Sequence, residues 1–425
     1  DNKHRLTARY VYEHWFLASL YFADTPLFNK DSYGTANTER PRFWFKLVRS
    51  ATPPGFPIKP IPTRRPYDDP QLGISGQFYY RLMPDDSSVV AKTHMPYQLS
   101  SERMEWIRSM FIEPDYEVKE LPGYDTDISA NPFVAFEDIP ISARYRFMLE
   151  EAEYTITGFI KGPVCRGQVA LNVIDDHFWV FFVEPKHLSG SSYSEFLKSQ
   201  SDNLKLPGTE ESATGIVTNW IKYSWLHDKY LDALNAWLID RFPGERRQSL
   251  SMLWRGDDHN PNAALTIFRH FDSSTVVKGT VGQPPKTAWL VDYSLLERIH
   301  YLLVAEFDVF GNIGHQLNTR LYMDFLRMEG EHNFLTLLPH DERVRLANYW
   351  YRDTSERVRK HLVNYEEHVL ADPAIEYKTD HPKLELFGKI QTLLKDELDN
   401  KYTLADHVLP GELSVLNRLN SVRGR

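Results

Sequence analysis

Seven prolines fall within the eighteen residues Pro53 to Pro70 (PPGFPIKPIPTRRPYDDP). Proline lacks the backbone N–H and fixes φ, so this run excludes helix and central strand. It predicts a linker or an extended segment lying over a domain surface. Leu6 to Phe22, before it, predicts an amphipathic helix, with Leu6, Tyr10, Val11, Leu17, Ala18, Tyr21 and Phe22 near helical spacing. After it, Phe78–Met83 and Val89–Thr93 predict a hairpin turning at Pro84-Asp85-Asp86-Ser87.

Ile141 to Ile160 predicts one helix, ended by Gly162-Pro163. Val169–Ile174 and Phe178–Val183 predict a second hairpin, apolar enough to be buried on both faces. Lys186 to Gly215 predicts a Ser- and Gly-rich loop between domains, Ile221 to Leu238 a helix, and Ala264–Phe271 with Thr275–Lys278 a strand pair. Helices dominate from Tyr293 onward, opened by a capping box, Ser294-x-x-Glu297. No repeat of fixed period is visible. The expected class is mixed α and β (α+β), with a sheet-containing portion over 1–290 and a helical region over 291–425.

The 425 residues carry a net charge of −9 and the pI is about 6.0, with no basic excess to suggest a nucleic-acid partner. No apolar run approaches the ~20 residues of a membrane span, so membrane contact is expected to be peripheral. Aromatics reach 13%, which favours an aromatic core or an apolar ligand pocket. Asp1 and Arg425 read as cut ends of a longer chain, so the lack of a signal peptide says little about location.

Phosphate loops, the G-x-S-x-G elbow and H-E-x-x-H are absent. Lys92-Thr93-His94-Met95-Pro96-Tyr97 gathers imidazole, thioether and phenol at an expected strand exit. His94 and Met95 are both of a type that ligates haem iron; the alternative is a strand-end histidine with a core Met and Tyr. Cys165, the only cysteine, stands beside Arg166 between two glycines, either as an activated thiol or as an inert buried one. Asp175-Asp176-His177 and Asp257-Asp258-His259 offer oxygen and imidazole to a divalent metal, or are ordinary turns. Arg64-Arg65 suits a carboxylate or phosphate, or a surface ion pair.

Four stretches together resemble the fatty acid cis/trans isomerase family. They are LTARYVYEHWFLASLYF from Leu6, TPPGFPIKPIPTRRPYDDP from Thr52, VVAKTHMPY from Val89, and YRFMLEEAEYTITGFIKGPVCRGQVALNVIDDHFWVFFVEP from Tyr145. They cover about the first half of the chain in the family's order, with a weaker match beyond. The resemblance implies a periplasmic enzyme that converts cis-unsaturated acyl chains to trans without moving the double bond. It also implies a c-type haem on a C-x-x-C-H motif, which a chain with one cysteine cannot contain. Rotation about a double bond needs transient loss of its π component, and no acid, base or nucleophile here obviously supplies that. The haem is therefore expected from a segment absent from this chain, and the chain alone is expected to be inactive. Site residues on this reading are His94, Tyr97, Arg166 and His177, with His94 and Met95 facing the cofactor. A metal-dependent hydrolase built on the Asp-Asp-His turns and a non-catalytic lipid-binding or scaffolding domain are the rivals.

Overall fold

The computed structural model describes residues 1–22, 44–73, 76–87, 95–161, 172–188, 190–207, 216–241, 248–269, 274–306, 313–353 and 372–394. The first helix, α1 (Asn2–His14), is capped by the Asp1 carboxylate, which accepts from the His4 N–H. It stops at Trp15, short of the predicted Phe22, and Ser19–Phe22 is strand β1. A short apolar run reads equally as helix or strand, and here two neighbouring strands supply backbone partners. These are β2 (Trp44–Ser50), antiparallel to β1, and β4 (Pro96–Leu99), parallel to it.

Strand β3 (Tyr79–Asp85) takes the first arm of the first predicted hairpin and carries it into the expected turn. It runs on through Pro84 and pairs with β2, from Trp44↔Asp85 to Ser50↔Tyr79. Pro84 is tolerated because, among the described strands, β3 is the outer one in the order β3-β2-β1-β4. The predicted partner, Val89–Thr93, lies outside the described residues. Met95 stands directly before a strand, because Pro96 opens β4. The proline run lies as an extended segment against this sheet. The Arg49 guanidinium donates to the Pro66 (2.6 Å) and Asp68 carbonyls, and Arg81 donates to those of Pro53 (3.0 Å) and Phe56 (2.9 Å). Those carbonyls have no ladder of their own, so arginine satisfies them.

Helices α2 (Ser101–Phe111), α3 (Thr126–Ser129) and α4 (Pro132–Ala135) lead to α5 (Ile141–Glu150) and α6 (Ala152–Lys161). The predicted single helix is thus broken at Glu151. Strand β5 (His177–Phe182, HFWVFF) is buried at every position, as its composition requires. It is not half of a hairpin, however. Asn172-Val173 is helical, 169–171 lies outside the described residues, and the partners of β5 are far away in sequence.

The loop expected over Lys186–Gly215 contains α7 (Ser191–Ser199), while 208–215 lies outside the described residues. Helix α8 (Ile216–Arg241) covers and extends the predicted span. Strands β6 (Ala264–Arg269) and β7 (Ser274–Lys278) pair as expected, and β6 pairs in turn with β5. Strand β8 (Ala288–Val291) lies parallel to β5, which completes the order β7-β6-β5-β8.

The two sheets share one plan that the sequence hides. In each, three antiparallel strands are followed by a fourth returning parallel to the first. In each, one capping residue then starts a helix: Leu99-Ser100-Ser101 and Val291-Asp292-Tyr293. The second of these helices, α9 (Tyr293–Tyr301), is buried at all nine positions and runs into a π-helical turn, Leu302–Glu306. Its cap is Asp292, whose carboxylate accepts from the Leu295 N–H (2.8 Å), so the predicted box at Ser294 and Glu297 is not used.

Helices α10 (Ile313–Leu335), α11 (His340–Trp350) and α12 (Pro382–Leu393) complete the described chain. Gly330 lets α10 approach β8, because a Cβ there would stand 3.1 Å from the Trp289 Cβ. The class is α+β: about half of the protein is helical and two small mixed sheets supply the strands.

Candidate functional site: a buried polar spine beside an apolar cavity

Helix α9 follows a buried strand directly, so it passes through the core and must satisfy its polar side chains internally. One face meets α1. His14 Nε2 lies 2.6 Å from Glu297 Oε1, and His14 Nδ1 lies 2.8 Å from the Tyr10 carbonyl. Burial alone would raise the Glu297 carboxyl; the charge on His14, with Arg144 behind it, outweighs this and holds it below its usual range. Tyr301 and Arg9 both donate to Glu13, each at 2.8 Å.

His300 stacks on His14 at 5.2 Å between ring centroids. Its Nε2 meets the His14 carbonyl (2.9 Å) and its Nδ1 the Thr155 hydroxyl (2.9 Å). Burial, and then the neighbouring His14 charge, push His300 down to about 4, so it is neutral at physiological pH. A neutral ring that donates from Nε2 and accepts at Nδ1 fits both partners.

The opposite face of α9 meets α8 and α10. Arg298 and His227 both pair with Glu329, His227 at 2.8 Å. Burial raises the Glu329 carboxyl, but Arg298 and His227 overcome it and hold it at about 2. Beside this triad, at the carboxyl ends of the parallel strands β5 and β8, opens a cavity of about 70 Å³. A water molecule needs ~10–15 Å³ of such space, so the cavity is several waters in size. Leu231, Leu234 and Trp237 of α8, Leu290 of β8 and Leu337 line it, with Asp292, His332, Gln248, Asn235, Asn333 and Thr336 among its polar members. The carboxyl ends of parallel strands are where open α/β sheets place ligands.

Burial, and then the nearby Glu329 charge, push the Asp292 carboxyl up to about 6. A carboxyl raised on folding stabilises fully below its unfolded value of 3.8, and that contribution is lost as pH rises through about 6. Asp292→Asn keeps the cap oxygen and removes the charge. It is expected to leave the melting temperature unchanged near pH 4 and raise it by several degrees at pH 8, as differential scanning calorimetry would show. Equal melting of both proteins at pH 8 would mean that Asp292 carries no charging penalty.

Among the residues expected to carry chemistry, Tyr97 and Met95 come together: the Tyr97 hydroxyl points at the Met95 sulfur (3.8 Å). Tyr97 also meets Trp15 (6.2 Å) and Tyr154 (5.8 Å). Burial raises the Tyr97 phenol, and Glu151 adds to it. Glu151 is itself pushed up to about 7, by burial and by Glu150, against the opposing charge of Arg103. A carboxyl titrating near neutrality at the α5–α6 break is a functional-site signature that sequence reading did not single out. His177 belongs to the other sheet. Its Nδ1 meets Asp176 (2.8 Å) and its Nε2 the Gln283 carbonyl (2.7 Å). His94, Cys165 and Arg166 lie outside the described residues.

The Asp-Asp-His turns are occupied locally. Asp175 pairs with Lys286 (3.3 Å) and His259 Nδ1 with the Asp257 carbonyl (2.7 Å). Among the described residues no three metal-ligating side chains converge.

Met95, the described member of the pair expected to face a haem, is not placed to hold one. Met95 is buried, and a Cβ added at Gly158 would stand 3.2 Å from both its methyl carbon and Leu303, which leaves no room for a porphyrin edge. His14, His177 and His300 have both ring nitrogens engaged.

Comparison with known proteins gives one family, described as "Fatty acid cis/trans isomerase (CTI)", whose model matches residues 1–414. No curated protein and no solved structure matches the chain. The match runs beyond the first-half stretches that carry the resemblance and takes in the spine, the cavity and the helical second half. With 414 of 425 residues matched, this chain belongs to the fatty acid cis/trans isomerase family.

Proposed function

We propose that the chain, completed by its haem-bearing segment, isomerises cis-unsaturated fatty acyl chains to trans without moving the double bond, that it is inactive without that segment, and that the cavity between α8, α10 and β8 receives the acyl chain. The observation that carries this reading is the cavity itself, apolar on most sides and larger than a water site, in a chain of an acyl-isomerising family. An empty apolar cavity costs stability, and an alkyl segment would restore the missing contacts. The apolar wall binds the segment, orients the alkene and excludes water. Bond migration would require an allylic proton to leave, and a carboxyl titrating near 6 such as Asp292 is far too weak a base for that.

The resemblance further implies a periplasmic location and a c-type haem. Since Met95 is not placed to hold a haem, the cofactor is proposed to come from outside the described residues, and no step of the reaction is derived through it.

The test uses the full-length protein with its haem segment, beside the chain alone, and a cis-9 unsaturated fatty acid. Gas chromatography of the methyl esters should show the trans isomer at the same bond position. Leu234→Trp, which fills the cavity, should lower the trans yield by at least about tenfold with the fold intact. Migrated double bonds, or an undiminished yield from Leu234→Trp, would overturn the reading.

A further inference from the structure

The cavity between α8, α10 and β8 carries polar atoms that the fold leaves unused. Tyr193 of α7, 2% exposed, and Gln248, 6% exposed, both line it. Among the described residues, neither the Tyr193 hydroxyl nor Gln248 Oε1 has a hydrogen-bond partner. The Tyr193 hydroxyl stands near Ser294, but Ser294 gives its hydrogen to Asp292 (2.9 Å) and meets Tyr230 (2.6 Å). Other polar members of the lining are engaged. Asn333 donates to the Leu290 carbonyl (3.2 Å), and Thr336 donates to that of Asn333 (2.6 Å). A buried donor or acceptor without a partner costs stability, so two of them facing one cavity call for a ligand that supplies the partners. Both side chains are held in place. Tyr193 packs its ring on Trp237 (5.2 Å), and the Gln248 carbonyl accepts from the Ala374 N–H (2.8 Å).

The charge of the lining narrows the ligand. Asp292 lines the cavity, and no lysine or arginine does so among the described residues. Burial pushes His332 down to about 4, so it brings no positive charge either. An ionised carboxylate would find no cation there. An uncharged head suits the site better. A carbonyl oxygen accepts from the Tyr193 hydroxyl, and an un-ionised acid also offers an O–H to Gln248 Oε1.

We infer that Tyr193 and Gln248 anchor the uncharged carboxyl end of the acyl chain, as an un-ionised acid or an ester, inside this cavity. The inference deepens the proposed acyl site and rests on it. The first methylenes lie against the apolar wall of Leu234 and Leu290, and the held end fixes how far along the chain the alkene stands.

The test is titration calorimetry of the full-length protein with hexanoic acid, methyl hexanoate and hexane, at about pH 5, where much of the acid is un-ionised. The acid and the ester should bind more tightly than hexane. Tyr193→Phe should weaken both by roughly three- to tenfold and leave hexane unchanged, since each complex loses one hydrogen bond. Gln248→Met should weaken the acid alone, because the ester has no O–H to give. The ratio of acid to ester affinity in the wild type tells which head the anchor prefers. Both variants should melt at or above the wild-type temperature, because each removes a polar group that has no partner in the fold.

Unchanged binding of acid and ester by Tyr193→Phe overturns the anchor. So does a Tyr193→Phe protein that melts several degrees lower, since its hydroxyl would then be bonded within the fold. If acid, ester and hexane all bind alike, the acyl site stands and the anchor alone falls. If none of the three binds, the acyl site falls with it.

Discussion

Replacement of His14 by alanine is expected to destabilise the protein by about 3–5 kcal/mol, because it leaves a buried carboxylate without its partner. Glu297 is fully buried, and it remains ionised only through the charges around it, with His14 the largest favourable one. Tyr10, at 3.4 Å from the second carboxylate oxygen, is too distant to replace that charge. Urea unfolding followed by circular dichroism would measure the loss.

The double variant His14→Leu with Glu297→Met should recover much of the stability, since an apolar pair of similar volume carries no desolvation penalty. The acid limb supplies a second readout. A carboxyl lowered on folding contributes stability above its unfolded value of 4.5, and that contribution is lost as pH falls through the folded value. Glu297→Gln should therefore lose less stability on acidification than wild type. A His14→Ala protein within about 1 kcal/mol of wild type would show that the pair carries little charge.

Phe181→Asp should abolish folding. Phe181 is 1% exposed on β5, the strand bonded on both sides, to β6 and β8, opposite Ala264 and Leu290. No cation is found among its register neighbours, so the new carboxylate would lose hydration without gaining a partner, at a cost of several kcal/mol. Val173, also fully buried, predicts the same for Val173→Asp. Expression level and a thermal melt would decide it. A soluble Phe181→Asp protein that melts cooperatively would mean that this face of β5 is not the core.

Both experiments probe features that differ in how far they can be read from residue order. The burial of β5 is legible, because HFWVFF has no polar face to offer water. Its partners are not. The predicted hairpin joined it to a neighbouring segment, whereas its bonds go to Ala264–Phe268 and Ala288–Val291. Helix α8 and the pair β6–β7 are legible because their periodicity and turn are local. At α9 the capping signal misleads by two residues: Asp292 and Ser294 are both good caps, and Glu297 is held by a histidine 283 residues away.

The active-site reading divides in the same way. Tyr97 and Met95 stand out in sequence and do meet, two residues apart. Glu151 and His300 carry no such mark, since burial by distant segments is what moves their protonation. Residue order by itself determined the family, the α+β class, the apolar core segments and the surface course of the proline run, all of which follow from composition and short-range pattern. Only the tertiary structure decided which strands pair, that two sheets repeat one plan, and that Glu297, Glu329 and Asp292 gather around one buried helix beside a cavity. Those facts depend on contacts between residues far apart in the chain, and neither helical period nor strand alternation encodes a contact of that range.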